Sequence, residues 1–157
     1  ETLNEIGFSF DQTAWLLRLI VAMLCGAVLG LDREIRHRRV GVRTYMLVSL
    51  GAAAFAILSV EMSTDMSAMG LSGDPTRAIQ GIAGGIGFLG AGAIIQGDNR
   101  LGGMATAASL WVSGAVGLAA GMGYVALAFA SAVLAAAVLL ISKFLENRGS
   151  EDRPDQR

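Results

Sequence analysis

The side chains with the clearest potential for chemistry form a charged segment between the first two apolar stretches of the sequence. Two acids, Asp32 and Glu34, stand among five arginines: Arg33, Arg36, Arg38, Arg39 and Arg43. On a continued helix each acid faces an arginine four residues further on, a spacing at which ion pairs form. The segment is either a basic loop that contacts anionic lipid headgroups and sets topology, or a functional polar cluster. The loop interpretation explains the arginines but not the two acids, so both interpretations are kept.

Few other residues offer chemistry. Cys25 lies in an apolar stretch and His37 in the basic segment, and each is the single residue of its type. We therefore expect neither a disulfide within the chain nor a histidine-based metal site. The apolar stretches contain no Asp or Glu, and the sequence has no Walker loop. We predict no enzymatic activity and no cofactor. The net charge of −1, from 12 basic and 13 acidic residues, gives no field that would attract nucleic acid.

A glycine-rich string in the third apolar stretch invites two interpretations. Residues 85–90 match GxGxxG, but they lie in a membrane-length run and no acid follows about 20 positions later, as dinucleotide binding requires. We interpret six glycines as helix-packing residues: Gly81, Gly84, Gly85, Gly87, Gly90 and Gly92. At about 100° per residue, Gly81, Gly85 and Gly92 share one face, whereas Gly84, Gly87 and Ala91 share another. The alternative is that the glycines unwind the helix and expose carbonyls to a cavity, as in transporters.

The elements that must position these residues are membrane-spanning helices. Hydrophobic residues make up 54% of the chain, charged residues 16%, and the mean hydropathy is +0.57. Runs of about 20 apolar residues predict five spans, at 13–31, 44–60, 77–96, 105–121 and 124–145. The predicted fold is an all-α, polytopic bundle over residues 1–145, with a disordered cytoplasmic tail at 146–157. The acidic leader before the first span is unlike a signal peptide, so we expect that helix to be retained.

Basic residues are distributed unequally between the two sides of the predicted bundle. One side holds Arg33, Arg36, Arg38, Arg39, Arg43, Arg100, Lys143, Arg148, Arg153 and Arg157, and the other holds only Arg77. The asymmetry predicts an N-terminus outside and a C-terminus in the cytoplasm. Arg18, inside the first span, is either a functional charge or, as we favour, a side chain that snorkels outward. Asp74 and Pro75 predict the N-cap and first residue of the third helix.

Four motifs, in this order along the chain, resemble the membrane domain of the MgtC/SapB family of bacterial inner-membrane proteins. They are Gly30-Leu31-Asp32-Arg33-Glu34, Gly41-Val42-Arg43-Thr44, the string 84–92, and Thr106-Ala107-Ala108-Ser109-Leu110-Trp111. The resemblance covers about residues 15–125. It implies a short form without the cytoplasmic C-terminal domain of longer members. The stretch Arg100–Ala105 differs from the Val-Arg-Gly-Leu that members usually carry, so we expect its contacts to be altered.

What the resemblance implies about function is regulation. It implies a role in magnesium homeostasis, in survival under magnesium limitation and, in pathogens, in survival inside host cells. It also implies action on a membrane partner such as the F-type ATP synthase, rather than direct Mg²⁺ transport. A transporter or channel gated by the polar cluster, or a scaffold that assembles through small-residue faces, are the alternatives. The expected surroundings are the lipid bilayer, a second copy in a homodimer, and another inner-membrane protein.

The predicted functional polar cluster gathers the charged residues with two threonines of the motifs. Asp32, Glu34 and Arg43 are expected to meet at the cytoplasmic edge, with Arg33 beside them. Thr44 and Thr106 are expected to be their hydrogen-bond partners.

Overall fold

The computed structural model describes residues 10–35, 40–95 and 100–151, apart from the side chains of 10–12, Asp32, 100–102 and 143–151. The described chain forms five helices: α1 (Phe10–Ile35), α2 (Val42–Ala68), α3 (Thr76–Ile95), α4 (Arg100–Gly121) and α5 (Val125–Glu151). All five are long and apolar enough to cross a membrane. The predicted all-α bundle of five spans is thus confirmed, whereas the side on which the termini lie stays a prediction.

Four helices extend beyond their predicted spans, and α2 and α5 do so by the most residues at their C-terminal ends. α2 continues past residue 60 to Ala68, through a segment that contains several polar residues. The Thr64 and Ser67 hydroxyls donate to the carbonyls one turn earlier, at 3.0 Å and 2.9 Å, so they need no other partner. α5 continues to Glu151, into the segment predicted as a tail. The remainder of that segment, 152–157, lies outside the described residues.

The buried core lies among α1, α2 and α4, with α5 packed on its side. Small side chains dominate it. Ala22, Ala53, Val116, Ala120 and Ala128 are fully buried. Because lipid is as apolar as these side chains, close packing rather than expulsion from water holds such helices together.

Glycines on α1 and α4 allow the closest approaches to α2. A Cβ added at Gly26 would lie 2.7 Å from the Tyr45 carbonyl oxygen, and one at Gly30 would lie 2.6 Å from the Val42 Cα. These two glycines have the spacing of a GxxxG motif. On α4, a Cβ at Gly117 would collide with the backbone of Ser49. The α2 backbone is thus held between glycine faces of two neighbours.

The glycines predicted to pack on α3 behave differently. Of the six, only Gly90 meets another helix, with its added Cβ at 3.3 Å from the Ala107 Cβ. A Cβ at any of the other five would have nothing within 4 Å among the described residues: Gly81, Gly84, Gly85, Gly87 and Gly92. α3 borders α4 and barely touches α2, so within one chain these five do not pack helices together. α3 is also a continuous helix, so the alternative of local unwinding is not observed.

The turn before α3 carries the predicted cap. Asp74 Oδ1 accepts hydrogen bonds from the Thr76 N–H at 2.9 Å and from the Thr76 hydroxyl at 2.6 Å. A side-chain oxygen that satisfies the amide two residues on is the usual N-cap geometry. The prediction that Asp74 caps α3 is confirmed. The prediction of Pro75 as the first helical residue is wrong by one position, because α3 begins at Thr76 and Pro75 lies in the turn before it.

Polar side chains of α1 tie it to two neighbours at this same end of the bundle. Trp15 Nε1 donates to Glu61 Oε1 on α2 at 3.0 Å. Arg18 Nη1 donates to the Gly121 carbonyl oxygen, in the last turn of α4, at 3.4 Å. A cation beside the carbonyl end of a helix is electrostatically favourable. Arg18 therefore donates to a specific acceptor within the protein, whereas we favoured a side chain that only snorkels outward to water. The turn that follows contains Gly123, whose φ of 91° favours glycine.

Candidate functional site

The predicted cluster residues lie at the end of the bundle where α1 finishes and α2 begins, called the basic end below. Arg33 and Glu34 occupy the last turn of α1, and Arg43 and Thr44 the first turn of α2. Thr106 lies in the second turn of α4. The Asp32 backbone belongs to α1, but its side chain lies outside the described part of the structure. Helix order alone thus brings three of the four motifs to one end.

Arg33 is a buried cation at the junction of α1 and α4. Its side chain is 4% exposed. Its Nη2 donates to the Ala105 carbonyl oxygen at 3.2 Å and to Ser109 Oγ at 3.4 Å. Both acceptors are neutral. Arg33 therefore links α1 to the first turns of α4 through hydrogen bonds rather than through an ion pair.

Ser109 is the centre of this arrangement. Its hydroxyl donates to the Thr106 carbonyl oxygen at 2.9 Å, and a hydroxyl has one proton to give. The Arg33 guanidinium and the Tyr45 hydroxyl must then both donate to it, because its two lone pairs are the remaining sites. Tyr45 comes from α2 and is fully buried. Arg33, Tyr45, Ser109 and the carbonyls of Ala105 and Thr106, together called the polar hub, join three helices.

The guanidinium is not fully satisfied. Its Nε atom is buried and has no hydrogen-bond partner among the described residues. Among the described side chains no carboxylate forms an ion pair with Arg33. Burying a charge is costly, and the hydrogen bonds from α4 offset part of that cost. Among the described side chains, the polar hub therefore holds a buried positive charge.

Glu34 has a role that the sequence did not indicate. Its Oε2 accepts a hydrogen bond from the Val42 N–H, the first amide of α2, at 3.0 Å. Gly41, in the N-cap position, provides no side-chain cap of its own. A Cβ at Gly41 would meet this same carboxylate, so a larger residue there would require the Glu34 side chain to move. The last turn of α1 thereby caps the start of α2, with the negative charge at the favourable helix end.

The predicted meeting of the acids with Arg43 is not observed for Glu34. Its carboxylate lies on the Val42 amide, and Arg43 is exposed, without an ion pair among the described residues. Whether Asp32 meets Arg43 falls outside the described side chains. Thr44 is exposed and faces a groove between α2 and α3, whereas Thr106 is buried beside the polar hub. The predicted cluster is thus divided among a hub, a cap and a groove.

Four functional hydroxyls were missed in the prediction of this site. Besides Tyr45 and Ser109, they are Ser49, which donates to the Ala22 carbonyl oxygen at 2.7 Å, and Ser113, which donates to the Tyr45 carbonyl oxygen at 2.9 Å. These serines were not predicted from the sequence as hydrogen-bonding residues. The signal was their spacing, because 109 and 113 are one helical turn apart and share a face.

Comparison with known proteins gives consistent matches. The model of the MgtC family matches residues 19–148. Protein SrpB of Synechococcus elongatus is 40% identical over 123 residues, which are 71% of this chain and 67% of that protein. Protein MgtC of Brucella abortus is 43% identical over 74% of this chain and 46% of its own length. Protein MgtC of Salmonella typhimurium is 41% identical over 83% of this chain and 52% of its own length. No solved structure matches the chain significantly.

The matches extend over the whole candidate site. The family model spans the polar hub, the Glu34 cap and the groove that Thr44 faces. The chain covers about half the length of the two MgtC proteins, so their full activities need not reside in the region matched here. With the family model matched over most of its length, this chain belongs to the MgtC family.

Proposed function

We propose that this chain is a non-enzymatic regulatory protein of the bacterial inner membrane that acts in magnesium homeostasis. Membership of the MgtC family supports a magnesium-related membrane role. The proposed setting is growth under magnesium limitation, including survival inside host cells. The proposed mode of action is contact with another inner-membrane protein, such as the F-type ATP synthase, rather than chemistry on a substrate.

The observation that carries the proposal is the state of Arg33 in the polar hub. Its guanidinium is buried and donates to neutral oxygens of α4, and its Nε has no partner among the described residues. Coulomb interactions are stronger away from water, so such a cation responds to any charge that approaches it. A negative charge presented by a partner would loosen or tighten its hold on α4. Contact with another membrane protein can thereby change how α1 and α4 are held together.

Complementation of growth in low magnesium tests the proposal. Bacteria that lack their own family member would receive the wild-type chain, Arg33→Gln or Arg77→Gln. We expect Arg33→Gln to lose growth at a normal amount of protein in the membrane. Arg77→Gln is the matched control, because Arg77 is exposed and lies at the opposite end. Full growth with Arg33→Gln would refute a regulatory role for the hub.

A separate experiment addresses the transporter or channel. At Gly26, Gly30 and Gly117, α1 and α4 lie against the backbone of α2 with no space between the helices. This close packing supports a bundle that does not conduct ions. We expect liposomes that contain the purified chain to take up Mg²⁺ no faster than empty liposomes. Affinity capture from membranes distinguishes regulation of a partner from a scaffold role, since a scaffold of identical chains would bring down only itself.

The proposed orientation has the basic end and the C-terminus in the cytoplasm. The charge asymmetry supports it. Reporter fusions at the two termini test it. A C-terminal fusion that is active only in the periplasm would refute it.

A further inference from the structure

A long apolar groove separates α2 from α3. It has a volume of about 680 Å³. Gly51 on α2 and Gly81 and Gly85 on α3 lie along it, and added Cβ atoms at these glycines would meet nothing within 4 Å. Larger side chains also line the groove: Leu47 and Phe55, about two-thirds exposed, and Leu89, about half exposed.

The length of the groove matches one leaflet of a bilayer. On α2 it runs from Thr44, in the first turn, to Phe55. At 1.5 Å per residue this is about 16 Å. The hydrocarbon core of a bilayer is about 30 Å thick, so one leaflet contributes about 15 Å. On α2 the groove is therefore about one leaflet long and begins at the basic end, and on α3 it runs from Leu89 to Ala78 in the first turn of that helix.

The part of the groove at the basic end has a cation and a hydroxyl beside it. Thr44 lines the groove directly. Arg43 is exposed and lies one helical turn above Leu47, on the same face of α2. An exposed arginine at headgroup level attracts anionic lipid, and a guanidinium can bind a phosphate through two N–H groups.

We propose that the groove binds one anionic phospholipid of the leaflet at the basic end. Its phosphate contacts Arg43 and the Thr44 hydroxyl, and an acyl chain lies over Gly51, Gly81 and Gly85. This binding site goes beyond the proposed regulatory function and does not depend on it. A second copy of the chain fits less well, because helices that associate through glycines need a flat surface. Here Leu47, Phe55 and Leu89 project beside the glycines and leave space for a narrow, flexible chain.

The experiment measures lipid retained by the purified full chain. The protein, in neutral detergent, is offered phosphatidylglycerol or phosphatidylcholine, and intact complexes are analysed by mass spectrometry. We expect one phosphatidylglycerol to be retained in preference to phosphatidylcholine. Arg43→Gln should reduce phosphatidylglycerol affinity about fivefold and remove the preference, since one basic residue near a membrane surface contributes about that much. Arg77→Gln, at the opposite end, should change nothing.

Groove-filling variants test the acyl-chain contact. Gly85→Leu and Gly81→Leu put side chains into the groove without a clash and should lower retention of both lipids at least fivefold. Ala126→Leu is the matched control, since Ala126 is exposed on α5 and does not line the groove. Equal retention of the two lipids by the wild type, or equal loss in Ala126→Leu and Gly85→Leu, would overturn the proposal. Conversion of a dimer to a monomer by Gly85→Leu, with lipid unchanged, would assign the groove to a second copy.

Discussion

The Glu34 carboxylate at the end of α1 caps α2 by accepting the Val42 N–H at 3.0 Å, over a separation of only eight residues. Two glycines of the same motifs allow this arrangement. Gly41 leaves room for the carboxylate, and Gly30 allows the Val42 backbone to approach α1. Glu34 is therefore a positioning residue that fixes how α1 and α2 join.

Loss of this cap should destabilise the bundle. Glu34→Ala is expected to cost about 0.5–2 kcal/mol, the usual range for a lost N-cap, and Glu34→Gln less because it keeps an acceptor. Gly41→Ala should cost no more than Glu34→Ala, since the exposed carboxylate is the flexible end of its side chain and can move away from the added Cβ. Unfolding of the detergent-solubilised chain measures these changes. Asp65→Ala, at an exposed position of α2, is the control. Equal stability of Glu34→Ala and wild type would contradict the cap.

The Ser109 hydroxyl should contribute more to the free energy of unfolding than an exposed hydroxyl does. Ser109→Ala leaves the buried Arg33 and Tyr45 each without this acceptor, which is expected to cost about 1–3 kcal/mol. Ser67→Ala, on an exposed turn of α2, should change stability by less than about 0.5 kcal/mol. A double-mutant cycle with Tyr45→Phe should give a coupling of about 0.5–3 kcal/mol. Additive effects of Ser109→Ala and Tyr45→Phe would show that the hub does not act as a unit.

The cap of α3 should make the free energy of unfolding fall at acidic pH. Hydrogen bonds from the Thr76 hydroxyl and N–H hold the pKa of Asp74 below its ordinary value. Because the pKa is lower in the folded state, the stabilisation is present above the unfolded-state pKa, about 3.9, and is lost as pH falls through the folded value. Asp74→Asn keeps a cap and should flatten this dependence, whereas Asp74→Ala should lower stability even at neutral pH. Thermal unfolding from pH 2 to pH 7 tests this. An unchanged acid limb in Asp74→Asn would assign the dependence to other groups.

The fold could be predicted from the sequence because each spanning helix leaves a local signal. Apolar runs of membrane length located five helices, and Asp74 marked the start of α3. The positions of the helices relative to one another leave no such signal. Glycines spaced for packing occur on α1, α3 and α4, yet only the stripes of α1 and α4 meet a neighbour along their length. Which stripe packs inside the chain depends on the order of helices around the bundle.

The candidate site was predicted in its location but not in its connections. Charged motifs placed Arg33 and Glu34 correctly at one end of the bundle. The partners of Arg33 are 72 and 76 residues away, and Tyr45 and Ser109 are 64 residues apart. One sequence cannot show pairings at such separations. Glu34 was expected to pair with Arg43, but its carboxylate accepts the Val42 N–H, a backbone amide that has no partner within its own helix.

A second copy of the chain is predicted to pack against α3. Gly84, Gly87 and Ala91 share an exposed face, whereas the small stripe of α5 is used inside the chain, since Ala132 is 3% exposed. Because Ala132 is buried within the chain, it is not available to a second copy. Gly87→Leu should weaken the dimer, because a bulky side chain separates closely packed helices.

The test of the dimer is its dissociation in detergent. The fraction of dimer is measured against protein concentration for wild type, Gly87→Leu and Ala126→Leu, the last at an exposed position of α5. We expect Gly87→Leu alone to shift the midpoint. A wild-type protein that is monomeric at every concentration would refute the dimer.

Asp32 is predicted to be needed for function more than for shape. It precedes the buried Arg33 in the last turns of α1, and with Glu34 committed to the Val42 amide it is the other acid of the segment. Removing one partner of a buried charge pair costs about 3–5 kcal/mol, but only about 0–1 kcal/mol at an exposed site. We expect Asp32→Ala to lower both protein yield and function, and Asp32→Asn to keep the shape and lose function.

The lipid-contact interpretation of the same segment predicts the opposite for Asp32. If the segment only touches anionic headgroups, neutralising an acid there is harmless or improves membrane contact. Growth in low magnesium, normalised to the amount of protein in the membrane, separates the two interpretations. Asp65→Asn serves as the control, because it removes an exposed acid from α2. Since Asp32→Asn keeps the size of the side chain and removes only its charge, full growth at a normal protein level would assign Asp32 to the lipid-facing surface.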